Sequence, residues 1–215
     1  MPNIVIFIGP SLPHECVKSI LPTAKILPPA KRGDFTTVVA TEPDLKVIVL
    51  IDGVFFQDRA VGHREILSAI NKGILVYGAS SLGALRASEM DCLGMIGIGE
   101  IYKWYHDKYI NADDEVCLIY DPITYKSISE PMVNIRATLI AAKLNGIINQ
   151  KTESELISIC KNLYYPDRTY RRIIRDSNIP PETKTALSDW IKTHSIDQKR
   201  IDAMNCLKSV KDLKL

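Results

Sequence analysis

The stretch ILVYGASSLGALRASEM, residues 74–90, contains the signal that decides the fold. Its first residues favour a β-strand, small residues follow at 78–83, and the remainder, rich in alanine and leucine, favours a helix. The turn is a one-residue variant of the Gly-x-Ser-x-Gly nucleophile elbow, in which small neighbours permit a sharp bend that presents a serine. We therefore expect a strand, a tight turn and a helix in direct succession, with Ser81 at the helix N-terminus.

Two interpretations of this turn follow from its residues. Unpaired N–H groups and the positive end of the helix dipole can stabilise an oxyanion or bind a carboxylate beside a nucleophilic Ser81. Alternatively, Ser80 or Ser81 only caps the helix, as serine commonly does. Neither of the glycine-rich patterns that cradle nucleotide phosphates occurs in the sequence, so a phosphate-binding module has less support.

Apolar runs alternate with helix-favouring segments along the first half of the chain. Those that precede the elbow strand lie at residues 4–8, 24–27 and 46–51. The alternation predicts an α/β fold, with a parallel sheet of about four strands and flanking helices in the N-terminal half. After Met90 the alternation stops, and we expect a strand pair followed by a mainly helical part. The predicted domains are an α/β catalytic core at 1–110 and a C-terminal region at 111–215, packed on the core.

Composition argues against several classes of protein. The 215 residues are 24% charged and 46% hydrophobic, as in a globular protein, and a net charge of +2 is too small to indicate a nucleic-acid partner. No apolar run reaches the roughly 18 residues of a membrane span and no signal peptide is evident, so we expect a cytoplasmic protein without a membrane partner. The cysteines are scattered, and neither a metal nor another cofactor is predicted. The acidic run 113–115 could hold a metal, but three acids before a strand more often form a solvated turn or contact a helix end.

Several motifs together resemble the TfuA family. They are GPSL at 9–12, PPAKRGD at 28–34, IDGVF at 51–55, HREI at 63–66 and GASSLGALRA at 78–87. Further matches follow at 113–116, 134–136 and 165–168. The resemblance implies an accessory protein of peptide backbone thioamidation, in which sulfur replaces a carbonyl oxygen.

The resemblance also implies partners and an activity. A YcaO-type enzyme would activate the peptide amide with ATP, so this chain would meet the peptide substrate only indirectly. The chain itself would hydrolyse the C-terminal thiocarboxylate of a ThiS-like sulfur carrier protein with a Ser-Lys pair, in which the serine corresponds to Ser81. Two alternatives stay open: a non-catalytic docking or activator protein for the YcaO-type enzyme, and an anion-binding α/β module.

The sequence leaves the base for Ser81 open. Many family members have a lysine where this chain has Arg64, and an arginine stays protonated and makes a poor base. Lys31 is preferred because the parallel sheet brings its loop to the serine's edge, where burial would favour a neutral amine. Lys103, on a helix of unknown position, is the second choice. An alternative assembly uses His63 as the base and Asp52 as the carboxylate that orients it.

Other residues of the elbow and its neighbours are expected to bind the substrate. The backbone N–H groups of Leu82 and Gly83 are candidate oxyanion donors, with Ser80 beside them. Arginines at the sheet edge would hold the carboxyl-terminal tail of the carrier by paired hydrogen bonds, namely Arg32, Arg64 and Arg86. Arg86 and Glu89, three residues apart, also suit an intrahelical ion pair.

Overall fold

The computed structural model describes residues 3–55 and 59–213. The chain divides into two compact units, the first comprising Met1–Asp113 and Lys199–Leu215 and the second Asp114–Gln198. The first boundary lies close to the predicted division at residue 110, but the return of the chain's end to the first unit was not predicted. The predicted α/β class, with a mainly helical C-terminal part, is confirmed.

The first unit is built on a parallel sheet. Its strands are β1 Ile4–Phe7, β2 Lys25–Leu27, β3 Val47–Leu50, β4 Leu75–Ala79 and β5 Ile96–Ile98, in the order β2-β1-β3-β4-β5. The first four occupy the predicted apolar runs, whose nearly unbroken hydrophobic sequence suits strands covered on both faces. The expectation that the alternation stops after Met90 is wrong, because β5 continues it. A strand of three residues centred on Gly97 carries too little pattern to be distinguished from a loop.

Helices cover both faces of the sheet. The α-helices of the described residues are α1 His14–Ile20, α2 Asp34–Thr41, α3 His63–Asn71, α4 Leu82–Met90, α5 Glu100–His106, α6 Met132–Leu144, α7 Gln150–Asn162, α8 Tyr170–Asp176, α9 Pro181–His194 and α10 Gln198–Lys211. Side chains alternate along each strand, so Phe7 and Leu50 pack against α2, α3 and α4, whereas Ile6 and Val49 pack against α1 and α10. Within the described ranges, no helix is long and apolar enough to cross a membrane.

The second unit has its own apolar core between α6, α7, α8 and α9. This core includes Met132, Ile135, Leu139, Leu156, Cys160, Ile173 and Leu187. In place of the predicted strand pair, residues 116–129 form a loop with an isolated antiparallel bridge between Tyr120 and Ser127. Ile123 and Ile128 in this loop are exposed, and a two-stranded pair without a buried apolar face is marginal in water.

Two acidic side chains of the run 113–115 form ion pairs within the second unit. Glu115 accepts two hydrogen bonds of 2.8 Å from the guanidinium of Arg136, and both side chains are buried. Asp114 pairs with Arg168, which also donates to the Asp114 carbonyl oxygen at 2.8 Å. The solvated-turn alternative is therefore wrong for Glu115, whose carboxylate is buried in its ion pair, whereas the Asp114 side chain is 41% exposed. In the described part of the chain, no group of three or more His, Cys, Asp or Glu side chains could hold a metal ion.

Gly83 lies where α4 comes close to the sheet. A Cβ atom at this position would lie 1.8 Å from the carbonyl oxygen of Leu50, which is part of the backbone and cannot move aside as a side chain does. We expect Gly83→Ala to lower the free energy of unfolding by about 3 kcal/mol, measured by urea denaturation.

The control for this substitution is Gly73→Ala. Gly73 has a φ of +81° with open space around it, so a side chain there meets backbone strain but no clash. A cost of only about 1 kcal/mol is expected. A Gly83→Ala protein as stable as the wild type would contradict the close approach of α4 to β3.

Candidate functional site

The order of the strands reverses at β1. The chain passes from β1 to β2 on one side and then to β3 on the other, so the connections after β1 and β2 run in opposite directions. Such a reversal opens a crevice at the carboxyl ends of the strands, where α/β proteins of this strand order bind ligands. The loop 9–12 follows β1 at this crevice, and Asp52 follows β3.

The Asp52 carboxylate bridges the two sides of the crevice. One oxygen, Oδ2, accepts hydrogen bonds from the backbone N–H groups of Gly9 at 2.8 Å and Ser11 at 3.0 Å. The other, Oδ1, accepts a bond of 2.6 Å from the Ser11 hydroxyl, and both side chains are buried. The protein's own carboxylate thus occupies the loop amides that an anionic ligand would use. The anion-binding alternative concerns the turn at 78–83 and stays a prediction.

A lysine from the far end of the chain completes this cluster. Lys199, in the first turn of α10, is 3% exposed, and its Nζ lies 3.9 Å from Asp52 Oδ1. Lys199 was not among the residues predicted from the sequence. Its signal was the spacing of Lys199 with the buried Ala203, Cys206 and Val210, which places the lysine on the apolar stripe of a helix.

The elbow has the predicted form of a strand, a tight turn and a helix. Strand β4 ends at Ala79, and the N–H of Ser81 donates to the Ala79 carbonyl oxygen at 2.7 Å, which closes a three-residue turn around Ser80. Ser80 has a φ of +68°, an uncommon backbone conformation for a residue with a side chain. It is fully buried, and its hydroxyl has no hydrogen-bond partner among the described residues. The strained residue of the elbow is therefore Ser80, one position before Ser81.

Neither serine of the elbow caps the helix with its hydroxyl. Ser81 occupies the N-cap position, but its side chain makes no capping hydrogen bond, and only its carbonyl oxygen accepts the bonds of the first helical turn. The hydroxyl of Ser80 is unpartnered within the described residues, as stated above. The capping interpretation therefore does not account for the two serines.

The amides at the start of α4 differ in their availability. The N–H of Gly83 donates to the Ile51 carbonyl oxygen at 3.2 Å, so this predicted oxyanion donor is already engaged. The N–H of Leu82 has no acceptor among residues 3–55 and 59–213 and stays a candidate donor. The elbow also lies close to the segment that follows β3. A Cβ atom on Gly53, three residues after the end of β3, would lie 2.2 Å from the Leu82 side chain. The elbow and Asp52 are therefore parts of one region.

His63 belongs to a different network from Asp52. Its Nε2 lies 2.8 Å from Glu89 Oε2, and the same oxygen accepts a bond of 2.6 Å from Arg86. Arg86 also donates from Nε to the Val61 carbonyl oxygen at 3.1 Å. The intrahelical pair of Arg86 and Glu89 is thus formed. The structure gives His63 and Asp52 separate hydrogen-bond partners rather than the contact that the imidazole assembly requires.

A cavity of about 290 Å³ lies beside the start of α4. It is lined by Arg32, Phe55, Ala60, Val61, Gly62, His63, Leu82, Leu85, Arg86, Glu89 and Asp113. Two of the three predicted arginines, Arg32 and Arg86, thus line the same cavity. Such a mixture of cationic and apolar groups suits a peptide tail that ends in an anion.

Lys31 and Arg64 are exposed to solvent. The Lys31 side chain therefore lacks the burial on which its predicted role depends. The backbone of Lys31 bonds to Asp34, with its N–H donating to Asp34 Oδ2 at 2.9 Å and its carbonyl oxygen accepting from the Asp34 N–H at 3.1 Å. Arg64 lies in the first turn of α3. The predicted roles of both residues stay predictions.

The buried cysteines are poor candidates for a nucleophile. Burial raises the pKa of the Cys160 thiol to about 12 and also raises the pKa of the Cys206 thiol. Because the thiolate is the reactive form, these groups are unreactive near neutral pH. Cys92, in contrast, is exposed.

We expect a maleimide reagent at about pH 8 to label Cys92 of the folded protein well before Cys160 or Cys206. Peptide mass spectrometry after short labelling times measures the order. The variant Cys92→Ser should lose this early labelling, and urea should expose every cysteine. Early labelling of Cys160 in the folded protein would contradict its burial.

A comparison with protein families identifies the central part of the chain. Residues 52–169 match the family TfuA, described as TfuA-like protein. The match covers more than half of the chain and confirms the resemblance found in the sequence motifs. It includes Asp52 and both elbow serines, whereas Ser11 and Lys199 lie outside it. No curated protein matches the chain.

Proposed function

The chain belongs to the TfuA-like family, and on this premise we propose that it is an accessory hydrolase that delivers sulfur to a YcaO-type enzyme. Its substrate is the C-terminal thiocarboxylate of a ThiS-like carrier protein, and its product is the sulfide used for thioamidation of a peptide backbone. Family membership supports the accessory role. The observation that carries the hydrolase is the strained Ser80 at the N-terminus of α4, whose buried hydroxyl has no partner in the described residues.

The reaction requires a nucleophile, an oxyanion site and a group that moves a proton. A serine Oγ attacks the carbonyl carbon of the thiocarboxylate, and the developing oxyanion meets the free N–H of Leu82 at the positive end of α4. The C–S bond breaks, hydrogen sulfide ion leaves, and an acyl ester of the serine stays behind. Water then hydrolyses the ester and releases the carrier with a carboxylate terminus.

Two serines compete for the role of nucleophile. Ser81 is the residue that the family resemblance implies. Ser80 has the strained backbone and a hydroxyl without a partner in the described residues. Such features persist only where the surrounding structure holds a residue in place, and they cluster at reactive sites. The geometry favours Ser80 as the attacking residue, with Ser81 beside it at the N-cap.

The cavity beside Leu82 is proposed to receive the carboxyl-terminal tail of the carrier. Arg32 and Arg86 line it, and their guanidinium groups would hold the tail by charge-assisted hydrogen bonds. Glu89 and Asp113 on the same walls balance part of this charge. The site would therefore bind an extended peptide with a terminal anion better than a free small anion.

We expect Ser80→Ala to reduce sulfide release from a thiocarboxylated ThiS-like carrier by about 10³-fold or more, because the attacking oxygen is removed. Ser81→Ala should have a smaller effect, within about 10-fold. The assay measures sulfide from purified components, with and without the YcaO-type enzyme. Ser88→Ala, also on α4, is the control and should stay within about twofold.

The outcomes of this assay separate the candidate functions. A large loss in Ser81→Ala with a small loss in Ser80→Ala would return the nucleophile to Ser81. If both variants release sulfide at the wild-type rate, the serine hydrolase is wrong. A protein that releases no sulfide but increases thioamidation by the YcaO-type enzyme would instead be a docking or activator protein.

A second prediction concerns the predicted bases. We expect His63→Ala and Lys31→Met each to reduce sulfide release by no more than about fivefold, because His63 is paired with Glu89 and Lys31 is exposed. A general base normally contributes about 10²-fold or more. A loss of that size in His63→Ala would support the imidazole assembly, and the same loss in Lys31→Met would support the lysine predicted from the sequence.

A further inference from the structure

We propose that Glu89 is a positioning residue for recognition of the carrier: it holds Arg86 so that the open edge of the guanidinium binds main-chain carbonyl oxygens of the carrier's carboxyl-terminal tail. This inference rests on the proposed function and names the chemical group of the substrate that the cavity binds. Recognition of this kind does not depend on the side chains of the tail.

Arg86 is fixed on one edge of its guanidinium and open on another. The side chain is 15% exposed, with Nε donating to the Val61 carbonyl oxygen at 3.1 Å and Nη1 donating to Glu89 Oε2 at 2.6 Å. Nη2 carries two further N–H groups, which have no hydrogen-bond partner among residues 3–55 and 59–213. Arg86 also lines the cavity, so we assign these donors to the ligand that fills it.

The charges at the cavity determine which group of the tail these donors suit. Glu89 compensates the charge of Arg86, and a second carboxylate, Asp113, lines the same cavity. The Arg86–Glu89 pair therefore attracts an acidic side chain only weakly. A peptide carbonyl oxygen, in contrast, is a neutral acceptor that requires only an N–H donor. Arg86 thus suits the main chain of the tail.

The position of Arg86 on α4 determines which part of the tail it meets. In the proposed reaction the thiocarboxylate lies at the N–H of Leu82, and Arg86 follows Leu82 by four residues, about 6 Å further along the helix axis. An extended peptide covers a similar distance with about two residues. Arg86 therefore meets the residues that precede the thiocarboxylate rather than the reacting carbon.

The stability of α4 does not account for Glu89. This residue is the second-to-last of α4, at the negative end of the helix dipole, and an ion pair between partly exposed side chains contributes little to folding. Its carboxylate is held from α3 as well, because His63 Nε2 lies 2.8 Å from the same oxygen. An arginine fixed in advance loses less conformational entropy when the tail binds. Glu89 thus favours binding by holding Arg86 in one conformation.

The test measures kcat and KM for sulfide release from the thiocarboxylated carrier by Arg86→Gln, Glu89→Gln and the double variant. We expect KM to rise about 30-fold in Arg86→Gln and about 10-fold in Glu89→Gln, with kcat within about threefold of wild type, because the lost bonds hold the ground state and the transition state alike. The double variant should bind no more weakly than Arg86→Gln, since Glu89 acts through Arg86. Glu100→Gln, which removes a similar pair with Lys103 on α5, is the matched control and should keep KM within about twofold.

Two further substrates test the chemistry of recognition. Thioacetate has a thiocarboxylate but no tail, so the ratio of kcat/KM for the carrier to that for thioacetate should fall about 30-fold in Arg86→Gln. A carrier whose tail contains no acidic side chain should show the same rise in KM, because its carbonyl oxygens are unchanged.

Each other outcome overturns the inference. Losses that multiply in the double variant would show that Glu89 acts independently of Arg86, and a large fall in kcat would place Arg86 at the reacting carbon. A loss shared by thioacetate would make both residues structural, and a loss confined to tails with acidic side chains would exclude main-chain recognition. If Arg86→Gln does not fold, Arg86→Lys takes its place, since lysine keeps the charge but lacks the separate donor edges of the guanidinium.

A binding measurement separates this inference from the hydrolase. Calorimetry with a carrier that ends in an ordinary carboxylate requires no reaction, and the Kd of this carrier should rise about 30-fold in Arg86→Gln. A protein that binds in this way but releases no sulfide overturns the hydrolase and leaves tail recognition standing. Sulfide release with an unchanged KM in Arg86→Gln overturns tail recognition alone, and a wild-type protein that neither binds the carrier nor releases sulfide overturns both.

Discussion

The hydrogen bonds of the Asp52 carboxylate connect the segments that follow β1 and β3, at the place where the strand order reverses. They satisfy buried backbone amides after β1 and, at the same time, a buried negative charge after β3. Without these hydrogen bonds the amides and the carboxylate would be unpaired, and unpaired amides and unpaired charges in a protein interior both destabilise the fold. The amides of Gly9 and Ser11 and the carboxylate of Asp52 therefore hold one another in position at the crevice.

The serine elbow depends on the same edge. Gly78 and Gly83 allow α4 to approach β3 and β4 more closely than any side chain would permit, since a Cβ on Gly78 would lie 2.2 Å from the Gly83 carbonyl oxygen. This contact fixes the helix N-terminus directly behind the turn. Packing of this kind is what can hold Ser80 in its strained conformation. The close contacts that hold α4 against the sheet therefore also position the candidate nucleophile.

The elbow and the first four strands of the sheet could be predicted because their signals are local. Hydrophobic runs, turn residues and helix-favouring segments in residues 74–90 follow from adjacent positions in the chain. Which serine is strained could not be predicted, since it depends on where β4 ends, and a shift of one residue exchanges Ser80 and Ser81. The placement of Lys199 beside Asp52 joins residues far apart in sequence, and the pairing of His63 with Glu89 depends on how two helices pack.

The return of α10 to the sheet has a consequence for biosynthesis. Ala203, Leu207 and Val210 cover the same face of the sheet as Val17, near the start of the chain. A ribosome makes the strands before this covering helix, so one apolar face of the nascent sheet stays without that cover until residues 199–211 have been made. The second unit, encoded in between, has all its residues available earlier and can mature first. The first unit thus becomes complete only after the second unit has been made.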